Sequence, residues 1–256
     1  MAEKKRVVFL IGGSWPTFAP PGVCAEKIVA HIADRCDVTV ICWRRGTEIK
    51  AREYEHDGVR VIQVSDFLND RLVAAGSPAA RRFWRGVRLG VSALRLEGTV
   101  AWVRRAALRA LCAVHGARPI DAVVSVGFPI QCHQAAADFR RIHPGVRWIT
   151  YSTDTYHGKK DGRRWLTPFR EKAEAACYAA ADANFFSREI YTSCAVFFGR
   201  ETMAKSRMLD YMVDLRTMAD GKRPRKRPFF AMCRIKNPKW TIHNNFGQFA
   251  PHRRSI

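Results

Sequence analysis

Residues 7–42 read VVFLIGGSWPTFAPPGVCAEKIVAHIADRCDVTVIC. The run 7–11 is apolar, β-branched at Val7, Val8 and Ile11, and ends in the pair Gly12 and Gly13, so it reads as a short buried strand and a turn. Cys24, Ile28 and Ile32, with Val23 and Lys27 beside them, recur at helical spacing with a mixed face. DVTVIC at 37–42 then gives a second strand. Strand, helix and strand in this order make a βαβ unit, which predicts two parallel neighbours in one sheet.

The alternation continues outward. DGVRVIQV at 57–64 places Val59, Val61 and Val64 after an Asp-Gly turn, as in a strand with one wetter face. Residues 79–115 form a long helical stretch. Phe83, Val87, Val91 and Leu94 make one stripe, Val100, Val103, Ala107, Leu111 and Val114 another, and Gly98 marks a break between them. AVVSV at 122–126 and WITYS at 148–152 read as strands. A helix is predicted over about 168–181, a strand over 182–186, and a helix capped by Ser187 to about residue 198, with a final short strand at 207–213. The expected fold is α/β: a doubly wound, mostly parallel, Rossmann-like sheet with helices on both faces, over residues 1–214. In such sheets ligands bind outside the carboxyl ends of the strands, which selects the loops at 12–22, 127–133 and 153–164.

The chain carries a net charge of +21, and its location matters more than its size. Residues 71–118 hold ten Arg and one acid, and residues 222–256 hold ten Lys or Arg and no acid. The charge is two local stretches on a nearly neutral domain, so no specific nucleic-acid surface is expected. Nonspecific, salt-dependent binding through the two stretches is the rival reading. The turn after the first strand is not GxGxxG, which disfavours a dinucleotide-dependent dehydrogenase. Eight cysteines lack CxxC pairs and zinc spacing and sit mostly in apolar stretches, so they read as core, with no metal site. No apolar run approaches a membrane span, and the short apolar run after residue 6 is no signal-peptide core, which predicts a cytoplasmic protein. Residues 215–256, with GKRPRKRP at their start, read as a basic linker and a disordered tail.

Order and spacing together resemble the N-terminal domain of retaining, group-1-like GT-B glycosyltransferases. The residues carrying the resemblance are the opening strand and Gly loop, DVTVIC, DGVRVIQV, YSTD at 151–154, AAADANFFSRE at 179–189 and MLDYMVD at 208–214. FFAMCRI at 229–235 resembles the first strand of the family's second, donor-binding domain, after which the chain ends. The resemblance therefore implies the acceptor-side half of a glycosyltransferase, inactive alone. It implies no cofactor in this half and a nucleotide-sugar donor for the complete enzyme. The implied partners are a saccharide or lipid-linked acceptor and a separate donor-binding domain or subunit.

Within that frame the edge loops supply candidates. Asp154 is placed to orient or deprotonate an acceptor hydroxyl, the alternative being an Asx-turn. His133 is the imidazole nearest the mid-domain strand, where the family often has a His; a buried or capping histidine is the alternative. Gly12, Gly13, Ser14, Gly127, Phe128 and His157 are candidates to contact the acceptor, with a plain tight turn as the alternative at the first Gly pair. Arg81, Arg82, Trp84, Arg85, Arg88, Trp102, Arg104 and Arg105 read either as a solvated face or as a contact with an anionic membrane, at whose inner face the protein would be peripheral.

Overall fold

A computed structural model of the chain describes residues 3–13, 15–16, 20–43, 53–65, 67–94, 101–127, 130–156 and 167–209. They lie in the first of two compact units, Met1–Met212. The second, Val213–Ile256, falls outside the described residues, and so does the tail read at 215–256. In chain order the elements are β1 (Lys5–Ile11), α1 (Pro20–Ile32), β2 (Cys36–Trp43), β3 (Glu53–His56), β4 (Val59–Val64), α2 (Phe67–Ala74), α3 (Pro78–Leu94) and α4 (Ala101–Ala117). Then come β5 (Ala122–Val126), α5 (Gln131–Ile142), β6 (Arg147–Ser152), α6 (Thr167–Ala180), β7 (Ala183–Phe186), α7 (Arg188–Phe197), α8 (Arg200–Ala204) and β8 (Ser206–Met208).

The strands form one sheet in the order β3-β4-β2-β1-β5-β6-β7-β8, parallel throughout except for β3 against β4. Strand β1 lies between β2 and β5, so its side chains alternate between two dry faces. Val7, Phe9 and Ile11 join Ala25 and Val29 of α1. Val8 and Leu10 join Val103, Ala107, Leu111 and Val114 of α4 and Ala135, Ala136 and Phe139 of α5. Helices on both faces of a mostly parallel sheet give the doubly wound α/β sandwich expected from the alternation. The sheet order reverses between β1 and β5, and that switch point sets the crevice at the carboxyl ends.

Three features depart from the sequence reading, and the break read at Gly98 is present. The Asp-Gly turn closes a hairpin: Asp57 and Gly58 have φ of 50° and 74°, the two-residue turn that matches strand twist, and His56 pairs with Val59. Its first strand, EYEH, is polar and lies on the sheet edge, which hid it. Helix α5 escaped because its first turn is Gln131, Cys132, His133 and Gln134, all buried, and polar residues do not show an apolar period. Ser187 precedes α7 as read, but its buried hydroxyl has no hydrogen-bond partner among the described residues; its backbone carbonyl accepts the Tyr191 N–H instead. Residues 79–115 are two helices, ending and beginning on either side of Gly98. The stripe of α4 is buried as far as Val114, whereas on α3 Phe83 is exposed and Val87 and Val91 are only half-buried.

The cysteines behave as core. None of the six described forms a disulfide; Cys42, Cys132 and Cys177 are buried, and burial pushes the Cys42 thiol up to about 12. Among the described residues no group of His, Cys, Asp and Glu is arranged to hold a metal, and no helix is long and apolar enough to cross a membrane.

Leu111 is fully buried between α4 and the sheet. Leu111→Ala is expected to cost about 2–5 kcal/mol in urea denaturation, because the cavity adds to the lost transfer energy. A cost below about 1 kcal/mol would show that α4 does not pack as described.

Candidate functional site

The carboxyl ends of β1, β5, β6 and β7 bring most of the described candidates to one edge. At the end of β1, the Gly13 N–H is taken by the Ile11 carbonyl at 3.0 Å, and the Gly13 carbonyl accepts the Trp43 N–H at 2.8 Å. The pair therefore builds a tight turn tied to β2, and the Gly13 amide is not aimed at a ligand. Ser14, Phe128 and His157 lie outside the described residues. Gly127, at the end of β5, has φ +29°, a conformation open to glycine and rare for other residues.

Gly127, Ile130, His133, Asp154, Tyr156, Glu174 and Tyr178 line one narrow recess of about 10 Å³, room for about one water molecule. Asp154 stands exposed at this recess. An Asx-turn at Asp154 would need the N–H two residues on, but the Tyr156 N–H donates to Glu174 Oε1 at 2.9 Å. The Asp154 carboxylate makes no hydrogen bond among the described residues and is left facing outward. Glu174 thus fixes the loop that carries Asp154. The Arg170 guanidinium, one helical turn before Glu174, lies 5.6 Å from the centre of the Tyr156 ring and adds a second hold on the same loop.

Beneath the recess runs a buried hydrogen-bond chain whose direction can be worked out. The Trp148 Nε1–H, which can only donate, reaches Ser125 Oγ at 2.8 Å. Ser125 then has one proton to give, with His133 Nδ1 at 2.7 Å and the Ile149 carbonyl only at 3.5 Å. The shorter contact assigns the proton to Nδ1, so His133 carries its own proton on Nε2 and donates it to Ser152 Oγ at 3.0 Å. Ser152 Oγ lies 2.9 Å from the Tyr178 hydroxyl, which in turn donates to Glu174 Oε1 at 3.0 Å. The ionised carboxylate only accepts, and it closes the chain.

Both ring nitrogens of His133 are therefore engaged inside the fold. Burial pushes the imidazole down to about 4, with only partial restoration by the Glu174 charge, so it is neutral at neutral pH. A proton shuttle through His133 does not fit this environment; a fixed neutral tautomer does. Further along the edge, Thr153 and Ser187 follow β6 and β7 with buried hydroxyls that have no partner among the described residues.

Glu174 and Tyr178 escaped the sequence reading, although a signal existed. Arg170, Glu174, Cys177, Tyr178 and Ala181 fall at i, i+4, i+7, i+8 and i+11, so two charged residues share the buried stripe of α6 with apolar ones. Ser125 and Ser152 gave no signal, because a small polar residue in an apolar strand fits a core equally well. Of the basic candidates, Arg81, Arg82, Trp84, Arg85 and Arg88 lie on α3, and Trp102, Arg104 and Arg105 on α4. Arg104 is committed within the fold, pairing its Nε and Nη2 with the two oxygens of Asp138 at 2.6 and 2.9 Å.

His133 makes the fold sensitive to acid. An exposed imidazole in the unfolded chain binds a proton below about pH 6.5, whereas the folded one refuses it until about 4. The contribution is level above about pH 6.5 and is lost as pH falls from there to about 4, by up to about 3 kcal/mol. Urea midpoints across that window are expected to fall less steeply in His133→Gln than in the wild type. Equal slopes would place the imidazole in water.

No protein-family model matches the chain, and no curated protein matches it in sequence. Solved structures do match in fold. Sucrose-phosphate synthase from Thermosynechococcus elongatus superposes over 86% of this chain and 53% of its own, at 11% identity and a TM-score of 0.57. More distant are the E. coli trehalose-6-phosphate structure bound with UDP-2-fluoro glucose (90% of this chain and 54% of its own, 11% identity, TM-score 0.47) and an alpha,alpha-trehalose-phosphate synthase (UDP-forming) from Burkholderia vietnamiensis (75% and 42%, 10%, 0.44). The chain spans about half the length of the sucrose-phosphate synthase and of the E. coli structure. At these identities the likeness is one of architecture, and it agrees with the sheet order and the switch point described above. The described residues form one Rossmann-like domain with the architecture of the GT-B fold.

Proposed function

We propose that this domain is the N-terminal, acceptor-side half of a group-1-like GT-B glycosyltransferase. The reaction moves a sugar from a nucleotide-sugar to a saccharide or lipid-linked acceptor. The observation that carries this reading is the recess at the switch-point edge, with an exposed Asp154 carboxylate that has no partner among the described residues and a buried polar chain below. The acceptor hydroxyl would lie against Asp154, oriented by the loop that Glu174 and Arg170 hold. Its oxygen bonds the anomeric carbon, the bond from that carbon to the diphosphate oxygen breaks with the electron pair leaving on phosphate, and the hydroxyl proton passes to a base, for which Asp154 is our candidate. His133 acts as a positioning residue, neutral and fixed.

The diphosphate would be gripped by a donor-binding domain or subunit across the cleft, where charge developing on the leaving group is stabilised. Proximity gains require both reactants to be held together, so these 256 residues alone are expected to be inactive. No cofactor is invoked in this half.

The test joins the chain to the donor-side half of the Thermosynechococcus sucrose-phosphate synthase and supplies a panel of nucleotide-sugars and saccharide or lipid-linked acceptors. Transfer is expected from the joined protein and not from the chain alone. Asp154→Asn should lower kcat by about 10²–10⁴-fold with its melting temperature unchanged. Turnover by the chain alone, or full activity of Asp154→Asn in an active fusion, would falsify the corresponding part of the proposal.

A further inference from the structure

Helix α3 stands apart from the rest of the domain. Its neighbour with substantial contact among the described elements is α2, and none of its described residues is fully buried. Ala80, Trp84, Val87, Arg88 and Val91 are half-buried at helical spacing, and they form the inner face. The outer face carries Phe83 at 63% and Leu89 at 65% exposure, two of the few large apolar side chains left in water. Between them around the helix lie Ala79, Gly86 and Gly90, and a Cβ at either glycine would meet nothing. Glycine weakens a helix interior, and no packing inside the domain requires it at these two places. The effect is a low, smooth strip bordered by two apolar side chains.

The charges beside the strip are concentrated on one helix without acids. Several cations elsewhere meet carboxylates: Arg104 and Arg141 share Asp138, Arg140 meets Asp182, Arg60 meets Glu53, and Arg118 reaches Asp37 and Glu3. Arg81, Arg82, Arg85 and Arg88 pair with no carboxylate among the described residues. Arg81 uses only its Nε, on the Ala75 carbonyl. Arg81, Arg82 and Arg85 are exposed on or flanking the outer face, with guanidinium groups free to turn outward.

We propose that α3 is a peripheral membrane anchor that lies flat on an anionic lipid surface. Its 17 residues would extend about 25 Å in the interfacial plane. Phe83 and Leu89 enter the acyl boundary, the glycine strip lets the backbone approach closely, and the arginines reach lipid phosphates. Nucleic acid would match the guanidiniums but gains little from burying Leu89, whereas a bilayer interface gains from both. The anchor stands without the sugar-transfer reading, and if that reading holds it brings the acceptor edge to a surface where lipid-linked acceptors reside.

The test is cosedimentation of the full chain with vesicles of phosphatidylcholine alone and of phosphatidylcholine mixed with phosphatidylglycerol. The basic residues at 222–256 attract anionic vesicles by themselves, so variants in α3 decide the matter. Binding is expected only with phosphatidylglycerol, weakening as salt rises. Arg81→Gln, Arg82→Gln and Arg85→Gln combined should reduce partitioning by about a hundredfold. Phe83→Ser with Leu89→Ser, at unchanged net charge, should reduce it by about tenfold or more. All these positions are exposed, and unchanged thermal unfolding confirms the fold in each variant. The proposal is overturned by equal binding to neutral vesicles, or by wild-type partitioning of the serine variant. It is overturned equally by capture of an RNA oligonucleotide, lost in the glutamine variant, with no vesicle binding.

Discussion

Both faces of β1 are dry, and that single constraint organises the domain. A strand between two parallel neighbours cannot turn one face to water, because the crossovers that join parallel strands cover the faces with helices. Val7, Phe9 and Ile11 require α1, while Val8 and Leu10 require α4 and α5. With the faces covered, the edge at the carboxyl ends is where loops can meet a ligand. The reversal of strand order between β1 and β5 opens the crevice there. Gly127, Asp154 and the buried chain beneath them are all consequences of that geometry.

The central strands were legible because they are buried twice and consist of nearly unbroken β-branched and apolar residues. The edges were not. EYEH of β3 reads as polar loop, since an edge strand is hydrated and keeps charged side chains such as Glu53 and Glu55. At the other edge the short strand read at 207–213 is present as β8, Ser206–Met208, and residues 210–213 lie outside the described residues. Helix α5 is the instructive failure. Its first four residues are buried, and of these His133 is held on both ring nitrogens by Ser125 and Ser152 of neighbouring strands, partners that are invisible along the chain.

The candidate site divides in the same way. Asp154 and His133 could be selected by their place after strands, and both line the recess. What surrounds them could not be selected. Ser125 and Ser152 look like small core residues, and Glu174 looks like a solvated helix acid until the stripe containing Cys177 and Tyr178 is drawn through it. Helix α3 shows the opposite limit. Its apolar stripe was plain in sequence, but periodicity does not say whether a stripe meets a sheet, another helix or something outside the molecule. Substantial contact with α2, and arginines without acids among the described residues, are tertiary facts.

The one-way hydrogen-bond chain from Trp148 to Glu174 joins six residues of β5, β6, α5 and α6. Each interior member is held by polar contacts on both sides, so a change at one disturbs its neighbours. A new residue without a hydroxyl strands its neighbour's proton on one side and starves a lone pair on the other, and in a dry interior either loss is expensive. A single replacement within the chain is therefore costly unless the neighbouring member changes with it.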